Sequence, residues 1–381
     1  MTGSRGSRGR AHLSFLLFVA VCLASAAAFI VHRSGRSDPS VGGANRGESS
    51  PSAELPSGGI GANAGRAGVD AGTIAAGAAA ASGPALDAIR AQPHVYFRSY
   101  RPGEFGRVVV AALAAPNETR VITPIACDRV DFGRRHGICL VSQPDVVGAP
   151  AVARIYDKDF KELAAFPLAG TPIRTRLSPD ERFAAATVFV TGERYDADFT
   201  TRTMIIDTET LKVLGDLEQF EARRNGRPFS RIDFNYWGVT FFNDANRFYA
   251  TLGYTGTRFL VRGDVTARQL TVMRDNVECP SLSPDGQLVA FKSMLADTRE
   301  WRPHVLDVES GREWAISGET RNIDDQLEWL DGAHVLYQFT AERGLPGDAV
   351  NVWMSSAAAN ASDVPRLFIR GASSPAVVRP E

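Results

Sequence analysis

The chain has 381 residues, of which 44% are hydrophobic, and its formal charge at pH 7 is -1. A chain of this length can bury a large core, either as two or three domains or as one large all-β domain. Because acids and bases are interspersed along a nearly neutral chain, no broad field favours nucleic acid or an anionic membrane surface. No nucleic-acid partner is therefore expected.

The N-terminus combines basic residues with an apolar run. Arginines occur in residues 1–10, and the run "AHLSFLLFVAVCLASAAAFIV" spans residues 11–31. Its length is close to the ~20 residues that a helix needs to cross a bilayer, which favours a signal anchor with residues 1–10 in the cytoplasm. The small residues Ala24, Ser25 and Ala26 also fit the cleavage site of a signal peptide. Both interpretations export the rest of the chain, and the sequence leaves the choice between them open.

Residues 32–92 consist largely of Gly, Ala, Ser and Pro. Such a composition cannot bury enough apolar surface to offset the entropy of ordering, so it predicts a disordered linker. The alanine-rich end of this segment, residues 71–91, can form a transient helix, but its glycines argue against a stable one.

From residue 93 onward the sequence contains short alternating apolar runs bounded by turn residues, which predict many strands. Residues 176–190, "RLSPDERFAAATVFV", match residues 281–295, "SLSPDGQLVAFKSML", almost position for position, and residues 240–254 and 328–340 are looser copies. Each copy continues into an extended segment and a second tight turn, so the repeat period is about 45 residues. A four-stranded antiparallel unit of that length is typical of a β-propeller blade.

Six such blades are predicted. Five complete units lie at 124–171, 172–220, 221–276, 277–320 and 321–371. Residues 95–123 supply the outer strands of a further blade, and residues 373–380 resemble the beginning of one. The sequence therefore predicts an all-β, six-bladed β-propeller over residues 93–381, with a C-terminal strand that closes the first blade and leaves only short edges.

The "LSPDG…VAF" element resembles the TolB-like β-propellers, which are built from WD-like repeats, and the resemblance covers residues 93–381. The segments "CDRVDFGRRHGICL" and "NIDDQLEWLDGAHVLY" are similar to exported TolB-like proteins of actinobacteria. The resemblance implies an extracytoplasmic scaffold, since TolB is a periplasmic protein that works with a peptidoglycan-associated lipoprotein in envelope integrity. This chain has a linker and an apolar segment where TolB has a folded α/β domain, which puts the partners of TolB in doubt here.

The cysteines predict one disulfide bond. Cys127 and Cys139 lie nearly symmetrically about the turn at 131–135, and an exported chain meets oxidising conditions. The alternative is two buried free thiols. Cys279 remains unpaired, and we expect it to be a small buried residue.

Propellers bind ligands at the funnel where their innermost strands begin. We therefore expect the binding site among the polar residues near those positions, which are Arg174, Asp233, Asn235, Glu278, Asp324, Asp325 and Glu328. The acids Asp324, Asp325 and Glu328 are candidates for a cation site or for binding a basic loop of a partner, because hard cations need several carboxylate or carbonyl oxygens. The alternative role of these residues is to cap turns on a solvated rim.

Motifs of catalysis are missing from the sequence. It contains no G-x-S-x-G, no H-E-x-x-H and no Cys/His zinc spacing, so we predict no catalytic residue, no metal ligand and no cofactor. The leading hypothesis is a non-enzymatic, membrane-tethered propeller that binds a protein or an envelope polymer outside the membrane. The alternative hypothesis is a metal-dependent hydrolase of the six-bladed lactonase type, in which the funnel acids hold a divalent cation.

Overall fold

A computed structural model describes residues 83–143, 150–191, 199–340, 350–361 and 363–379. These residues form one α-helix, α1 (Pro84–Arg90), one short 3-10 helix (Leu217–Gln219) and the strands β1 to β26, which make up six sheets. The predicted apolar segment at 11–31 and most of the predicted linker lie outside the described residues. Within the described part of the chain, no helix has the length and apolarity that crossing a bilayer requires.

Each sheet is one blade, and the strands are given from the innermost outwards. Blade 1 contains β26 (Ala372–Val378), β1 (His94–Ser99), β2 (Arg107–Ala112) and β3 (Arg120–Ala126). Blade 2 contains β4 (Arg129–Phe132), β5 (His136–Val141), β6 (Ala151–Asp157) and β7 (Glu162–Leu168). Blade 3 contains β8 (Thr171–Leu177), β9 (Phe183–Thr191), β10 (Thr200–Asp207) and β11 (Lys212–Asp216).

The other three blades follow the same order. Blade 4 contains β14 (Asn235–Phe241), β15 (Arg247–Tyr254), β16 (Thr257–Asp264), β17 (Gln269–Asp275), β12 (Glu221–Arg224) and β13 (Arg227–Pro228). Blade 5 contains β18 (Glu278–Leu282), β19 (Leu288–Met294), β20 (Trp301–Asp307) and β21 (Glu313–Ala315). Blade 6 contains β22 (Glu328–Trp329), β23 (His334–Thr340), β24 (Val350–Ser356) and β25 (Arg366–Ile369).

The innermost strands form a closed ring. Each contacts the next, in the order β26, β4, β8, β14, β18, β22 and back to β26. The C-terminal strand β26 pairs antiparallel with β1, with Val377 opposite Val95. The prediction of a six-bladed propeller closed by its C-terminal strand is therefore confirmed.

The hydrophobic core lies between the blades. Side chains alternate between the two faces of a strand, so Val95 and Phe97 of β1 pack against blade 6 while Tyr96 packs against blade 2. The described residues form one buried apolar cluster between each pair of neighbouring blades. Strands that are buried on both faces have nearly continuous apolar sequences, which accounts for "FAAATVFV" in β9.

The repeated turn in blade 5 adopts the conformation that its sequence predicts. The Ser283 hydroxyl donates to the Asp285 carboxylate at 2.5 Å, which in turn accepts the backbone N–H of Gln287 at 3.1 Å. Gly286 has a φ of +74°, a left-handed conformation that glycine adopts without steric cost. The side chains and the glycine together close a tight connection between β18 and β19.

Glu181 replaces the turn glycine in blade 3, although its φ of +61° is unfavourable for a residue with a side chain. Its buried carboxylate accepts the backbone N–H groups of Arg134, Arg135 and His136 at 2.7 Å each. These three donors belong to the β4–β5 turn of blade 2. The side chain that strains one turn therefore caps the turn of the neighbouring blade.

The predicted disulfide bond is confirmed. Cys127 and Cys139 are bonded, with their Cα atoms 5.4 Å apart. Cys139 lies on β5, whereas Cys127 precedes β4 and does not belong to it. The bond therefore ties the connection between blades 1 and 2 to the second strand of blade 2.

Blade 4 departs from the predicted four strands. The hairpin β12–β13 is added to its outer edge, and β12 runs parallel to β17 with Glu221 opposite Gln269. Asn225 and Gly226 form the hairpin turn with φ values of +51° and +74°. Asn-Gly is a strong hairpin signal, so the sequence contained this feature.

The composition places residues 84–90 in the linker, but they form helix α1. Leu86 and Ile89, three residues apart on one side of the helix, are buried in the cluster between blades 1 and 2. Pro84 suits the first turn, where its missing N–H is not needed. Packing of this apolar pair on the blades explains why an alanine-rich segment is ordered here.

Removal of β26 tests the closure of the ring. A chain that ends at Gly371 lacks the innermost strand of blade 1 and exposes the buried faces of β1 and β4, so we expect its cooperative unfolding transition to be lost or shifted well below that of the full chain. Thermal unfolding followed by circular dichroism measures this. A chain that lacks only residues 380 and 381 is the control, and an unchanged midpoint after removal of β26 would contradict the closure.

Candidate functional site

The predicted site residues do not form one site. They lie in three places, which are the ring axis (Arg174, Asp325 and Glu328), the surroundings of a buried lysine (Glu278 and Asp324) and a side pocket between blades 3 and 4 (Asp233 and Asn235). The predicted funnel therefore brings together only part of the set.

Two ion pairs cross the ring axis. Strands β8 and β22 stand three places apart in the ring of six and so lie opposite each other. Arg176 on β8 binds Glu328 on β22, and it also donates to the carbonyl oxygen of Leu327 at 3.1 Å. Arg174 Nη1 lies 4.0 Å from Asp325 Oδ1, which approaches from just before β22. These charged side chains occupy the middle of the ring.

Hydrogen bonds at one level of the axis join neighbouring blades. At three alternating junctions, a side chain on one innermost strand accepts a hydrogen bond from a backbone N–H of the next innermost strand. The pairs are Asp131 with the Leu177 N–H (2.8 Å), Thr240 with the Leu282 N–H (3.0 Å) and Glu328 with the Val377 N–H (3.1 Å). The three acceptors occupy equivalent positions in their strands, as the strand registers show. Polar residues on the axis therefore link neighbouring blades at three of the six junctions.

The axis opens into a cavity at the turn face, which we define as the end of the ring where the innermost strands end. The cavity has a volume of about 290 Å³ and is lined by residues from all six innermost strands, with Asp131, Arg176 and Glu328 among them. A second cavity beside Arg174 and Asp325 measures about 30 Å³, enough only for water. The larger cavity thus lies at the end opposite the predicted funnel.

Asp131, one of the acids that line this cavity, has a carboxyl group with a raised pKa. Burial raises the pKa of its carboxyl to about 7, because desolvation outweighs the attraction of Arg176, and the acids Glu328 and Glu181 add to the increase. A carboxyl in this position changes its charge near neutral pH. Asp131 is absent from the predicted site residues, since no local motif marks it in the sequence.

Lys292 is fully buried and joins three blades. Its Nζ lies 2.9 Å from Glu278 Oε1 on the neighbouring strand and 2.5 Å from Asp324 Oδ1. Asp324 belongs to the segment that precedes β22 of blade 6. Glu278 Oε2 lies 3.2 Å from Arg258 Nε of blade 4. The Trp301 ring covers the ammonium, with its centroid 4.8 Å from Nζ. Glu278 and Asp324 therefore serve as counter-ions of a structural lysine.

The charges around Lys292 decide its protonation. Burial by itself lowers the pKa of Lys292, but the neighbouring carboxylates of Asp324 and Glu278 outweigh burial, and the pKa is raised. Cys279 is free and buried, as expected, and burial raises the pKa of its thiol. A thiol with a raised pKa is a poor nucleophile, so the role of a small buried residue fits Cys279.

Asp233 and Asn235 belong to a different location. Asn235 Oδ1 accepts the backbone N–H of Thr201 at 2.7 Å, and Asp233 Oδ2 accepts the Thr255 hydroxyl at 2.9 Å. Both line a pocket of about 440 Å³ that segments 200–201, 218–222 and 228–236 surround, which we call the side pocket. Glu218 also lines it, a residue that the sequence pattern does not mark.

The three acids proposed for a cation site are engaged separately. Asp324 binds Lys292, Glu328 binds Arg176, and Asp325 accepts the backbone N–H of Gln338 at 2.8 Å. In the residues that the structure describes, no three His, Cys, Asp or Glu side chains are grouped in a way that could hold a metal ion. The three acids that are candidates for a cation site are therefore not brought together.

No protein-family model matches the chain, and no curated protein matches it in sequence. Among solved structures, it is similar to TolB from Acinetobacter baumannii, with 14% identity over 76% of this chain and 67% of that chain and a TM-score of 0.52. A putative TolB from Agrobacterium tumefaciens has 11% identity over 74% of this chain and 91% of that chain, with a TM-score of 0.44.

An oligogalacturonate lyase in complex with manganese has 11% identity, covers 71% of this chain and 72% of that chain, and has a TM-score of 0.40. Likeness at such identities concerns the fold alone, because one propeller fold supports many functions. The ring described above is a TolB-like six-bladed β-propeller.

Replacing Asp131 by asparagine tests its raised pKa. The folded-state pKa of about 7 exceeds the ordinary value of 3.8, so the folded protein keeps a proton that the unfolded chain releases, and this contribution to stability falls as pH rises between those values. The amide of an asparagine keeps an acceptor for the Leu177 N–H without this dependence. We expect Asp131→Asn to gain stability relative to the wild type from pH 4 to pH 7, with no further gain above it.

Urea unfolding across this pH range measures the gain. The surface variant Asp275→Asn is the matched control, since Asp275 is exposed on β17. A difference between Asp131→Asn and the wild type that stays constant with pH would contradict the assigned role of Asp131.

Replacing Lys292 by methionine tests the buried lysine. Methionine has a similar length but removes the ammonium that Glu278 and Asp324 share, and breaking a buried ion pair costs about 3–5 kcal/mol. We expect a loss near the lower end of that range in urea unfolding. The double variant Glu278→Gln/Lys292→Met should recover part of it, and Lys212→Met, at an exposed position on β11, should have little effect. Wild-type stability of Lys292→Met would refute the role.

Proposed function

We propose that this protein is a non-enzymatic propeller scaffold, held outside a membrane, that binds a protein or a cell-envelope partner. The TolB-like fold and the Cys127–Cys139 disulfide support this proposal, since stable disulfides belong to oxidising compartments. The predicted segments at 1–10 and 11–31 supply an anchor or a signal peptide, and the linker that follows supplies reach.

One observation carries the binding role. The cavity at the turn face is concave and receives residues from all six innermost strands, so a loop or chain end of a partner inserted there would contact every blade. The ion pair between Arg176 and Glu328 and the hydrogen bonds between innermost strands keep its walls in place. A rigid concave surface binds a partner without the entropic cost of ordering.

The arrangement of the acids disfavours the alternative of a metal-dependent hydrolase. Such an enzyme needs carboxylates directed at a shared cation. Asp324 and Glu328 are directed at Lys292 and Arg176 instead, and these ion pairs connect different blades. Releasing the acids for catalysis would break contacts on which the ring relies.

Site-specific photo-crosslinking in the intact envelope tests the scaffold proposal. A photoreactive residue at Asn243 samples the turn face, one at Ala296 samples the end where the innermost strands begin, and one at Val213 samples the outer rim. We expect a discrete crosslinked partner from Asn243 and none from Val213.

The same three positions also give outcomes that would contradict the proposal. A partner captured at Ala296 and not at Asn243 would overturn the assignment to the turn face and return the site to the predicted funnel. The same products from all three positions, or no product from any of them, would contradict a scaffold with a defined binding face.

A further inference from the structure

The side pocket is lined by a partly buried acid, Glu218. Thr203 donates its backbone N–H to both carboxylate oxygens of Glu218 at 3.2 Å each. Within the described part of the chain, Glu218 forms no ion pair. The neighbouring acid Asp216 is already bound by Arg202, whose Nη2 lies 2.5 Å from Oδ2. Among the described residues, Glu218 thus receives hydrogen bonds, while the nearby Arg202 guanidinium is bound to Asp216 and acts on Glu218 only at longer range.

Desolvation makes the carboxyl of Glu218 unfavourable to ionise. Desolvation raises its pKa to about 8, with a further contribution from Asp216, against the lowering effect of backbone N–H groups. Burial also raises the pKa of Tyr236, and the negative charge of Glu218 adds to that increase. A ligand that brings a positive charge would therefore displace a proton from Glu218.

Aromatic rings form the walls beside this carboxyl. Phe229 and Phe234 are in contact, with ring centroids 4.9 Å apart, and Phe234 meets the buried Tyr236 edge to face at 6.2 Å. Phe220 lines the other side of the pocket and is also buried. Guanidinium groups already lie over two of these rings, Arg224 over Phe229 and Arg268 over Phe220, so the rings are suited to contact the alkyl stem of a cationic ligand and the carboxylate to bind its charge.

The carboxylate of Glu218 and the aromatic walls together indicate which class of ligand the side pocket can bind. The acids that line the pocket, Glu218, Glu221 and Asp233, are not grouped in a way that could hold a metal ion, whereas a carboxylate with aromatic walls suits an organic cation. Both oxygens of Glu218 already accept the Thr203 N–H, which obstructs the two-pronged pairing of a guanidinium and leaves room for an ammonium group. Ile232, fully exposed on the rim, offers an apolar contact to a longer chain.

We propose that the side pocket binds the lysine side chain of a peptide, with the Glu218 carboxylate against the ammonium and the phenylalanine rings around the alkyl stem. The available volume of about 440 Å³ accommodates one such side chain with part of its backbone. Asp233 at the rim, whose carboxylate accepts only the Thr255 hydroxyl among the described residues, adds a second negative charge. This proposal is independent of the turn face and of the partner proposed for it.

Calorimetric titration of the full chain with two matched peptides tests the proposal. One is acetyl-Ala-Lys-Ala-amide, and the other has norleucine in place of lysine and so lacks only the ammonium group. At pH 8 we expect the lysine peptide to bind about tenfold or more tightly, as a charge-assisted hydrogen bond would require. Equal affinities, or tighter binding of the corresponding arginine peptide, would overturn the assignment to lysine.

The pH dependence supplies a second readout on the unaltered protein. Below a pKa of about 8, binding of the ammonium must remove the proton from Glu218, so lysine-peptide affinity should fall by about tenfold per pH unit from pH 8 to pH 6. The norleucine peptide should show no such fall. The other charged or titratable groups that face Glu218 are Arg202, Asp216, Glu221, Arg231, Asp233 and Tyr236.

Variants separate Glu218 from those neighbours. Glu218→Gln should abolish both the preference for lysine and the pH dependence, while its melting temperature stays the same or rises because a buried acid is removed. Glu221→Gln is the matched control, since Glu221 lines the same pocket but is paired with Arg223 at 2.7 Å. Retention of the lysine preference in Glu218→Gln would refute the proposal, whatever the fate of the turn-face partner.

Discussion

Each blade has two apolar faces, and the structure depends on giving both of them a neighbour. Successive side chains of a strand point to opposite faces, so Tyr96 and Val95 of one strand belong to different clusters. An open row of blades would leave two such faces in water. The pairing of β26 with β1 removes both ends at once, and it makes the stability of every interface depend on the last strand of the chain.

Closure also creates an axis at which polar groups must be satisfied. Six innermost strands meet there, and the charges that reach the axis are matched across it or to neighbouring strands, as Arg176 and Glu328 show. Buried charge of this kind contributes little net stability, but removal of one partner leaves the other uncompensated. Predicted site residues such as Glu328 therefore form contacts between blades. The feature that remains available to a partner is the concave cavity at the turn face.

The side pocket has the opposite character, because Glu218 forms no ion pair with any residue that the structure describes. It exists where the chain departs from the repeat, between the 3-10 helix and β14, and the added hairpin β12–β13 forms part of its wall. A repeat unit that only packs against its neighbours has no need of such an insertion. The insertion therefore separates two roles, since the regular blades supply a rigid ring while the irregular segment supplies a specific chemical environment.

Much of the fold followed from the sequence, because strand alternation and turn chemistry are local properties. The repeated Ser-Pro-Asp turn, the number of blades and the disulfide of Cys127 and Cys139 all depend on short-range patterns. The grouping of the site residues could not be predicted from the sequence, because partners such as Arg176 and Glu328 lie 152 positions apart and meet only when the ring closes. Likewise, Glu218 and Tyr236 acquire their raised pKa values from burial that several distant segments create together. Sequence patterns determined which strands form; only the tertiary structure decided which charges are neutralised and which one is left facing a pocket.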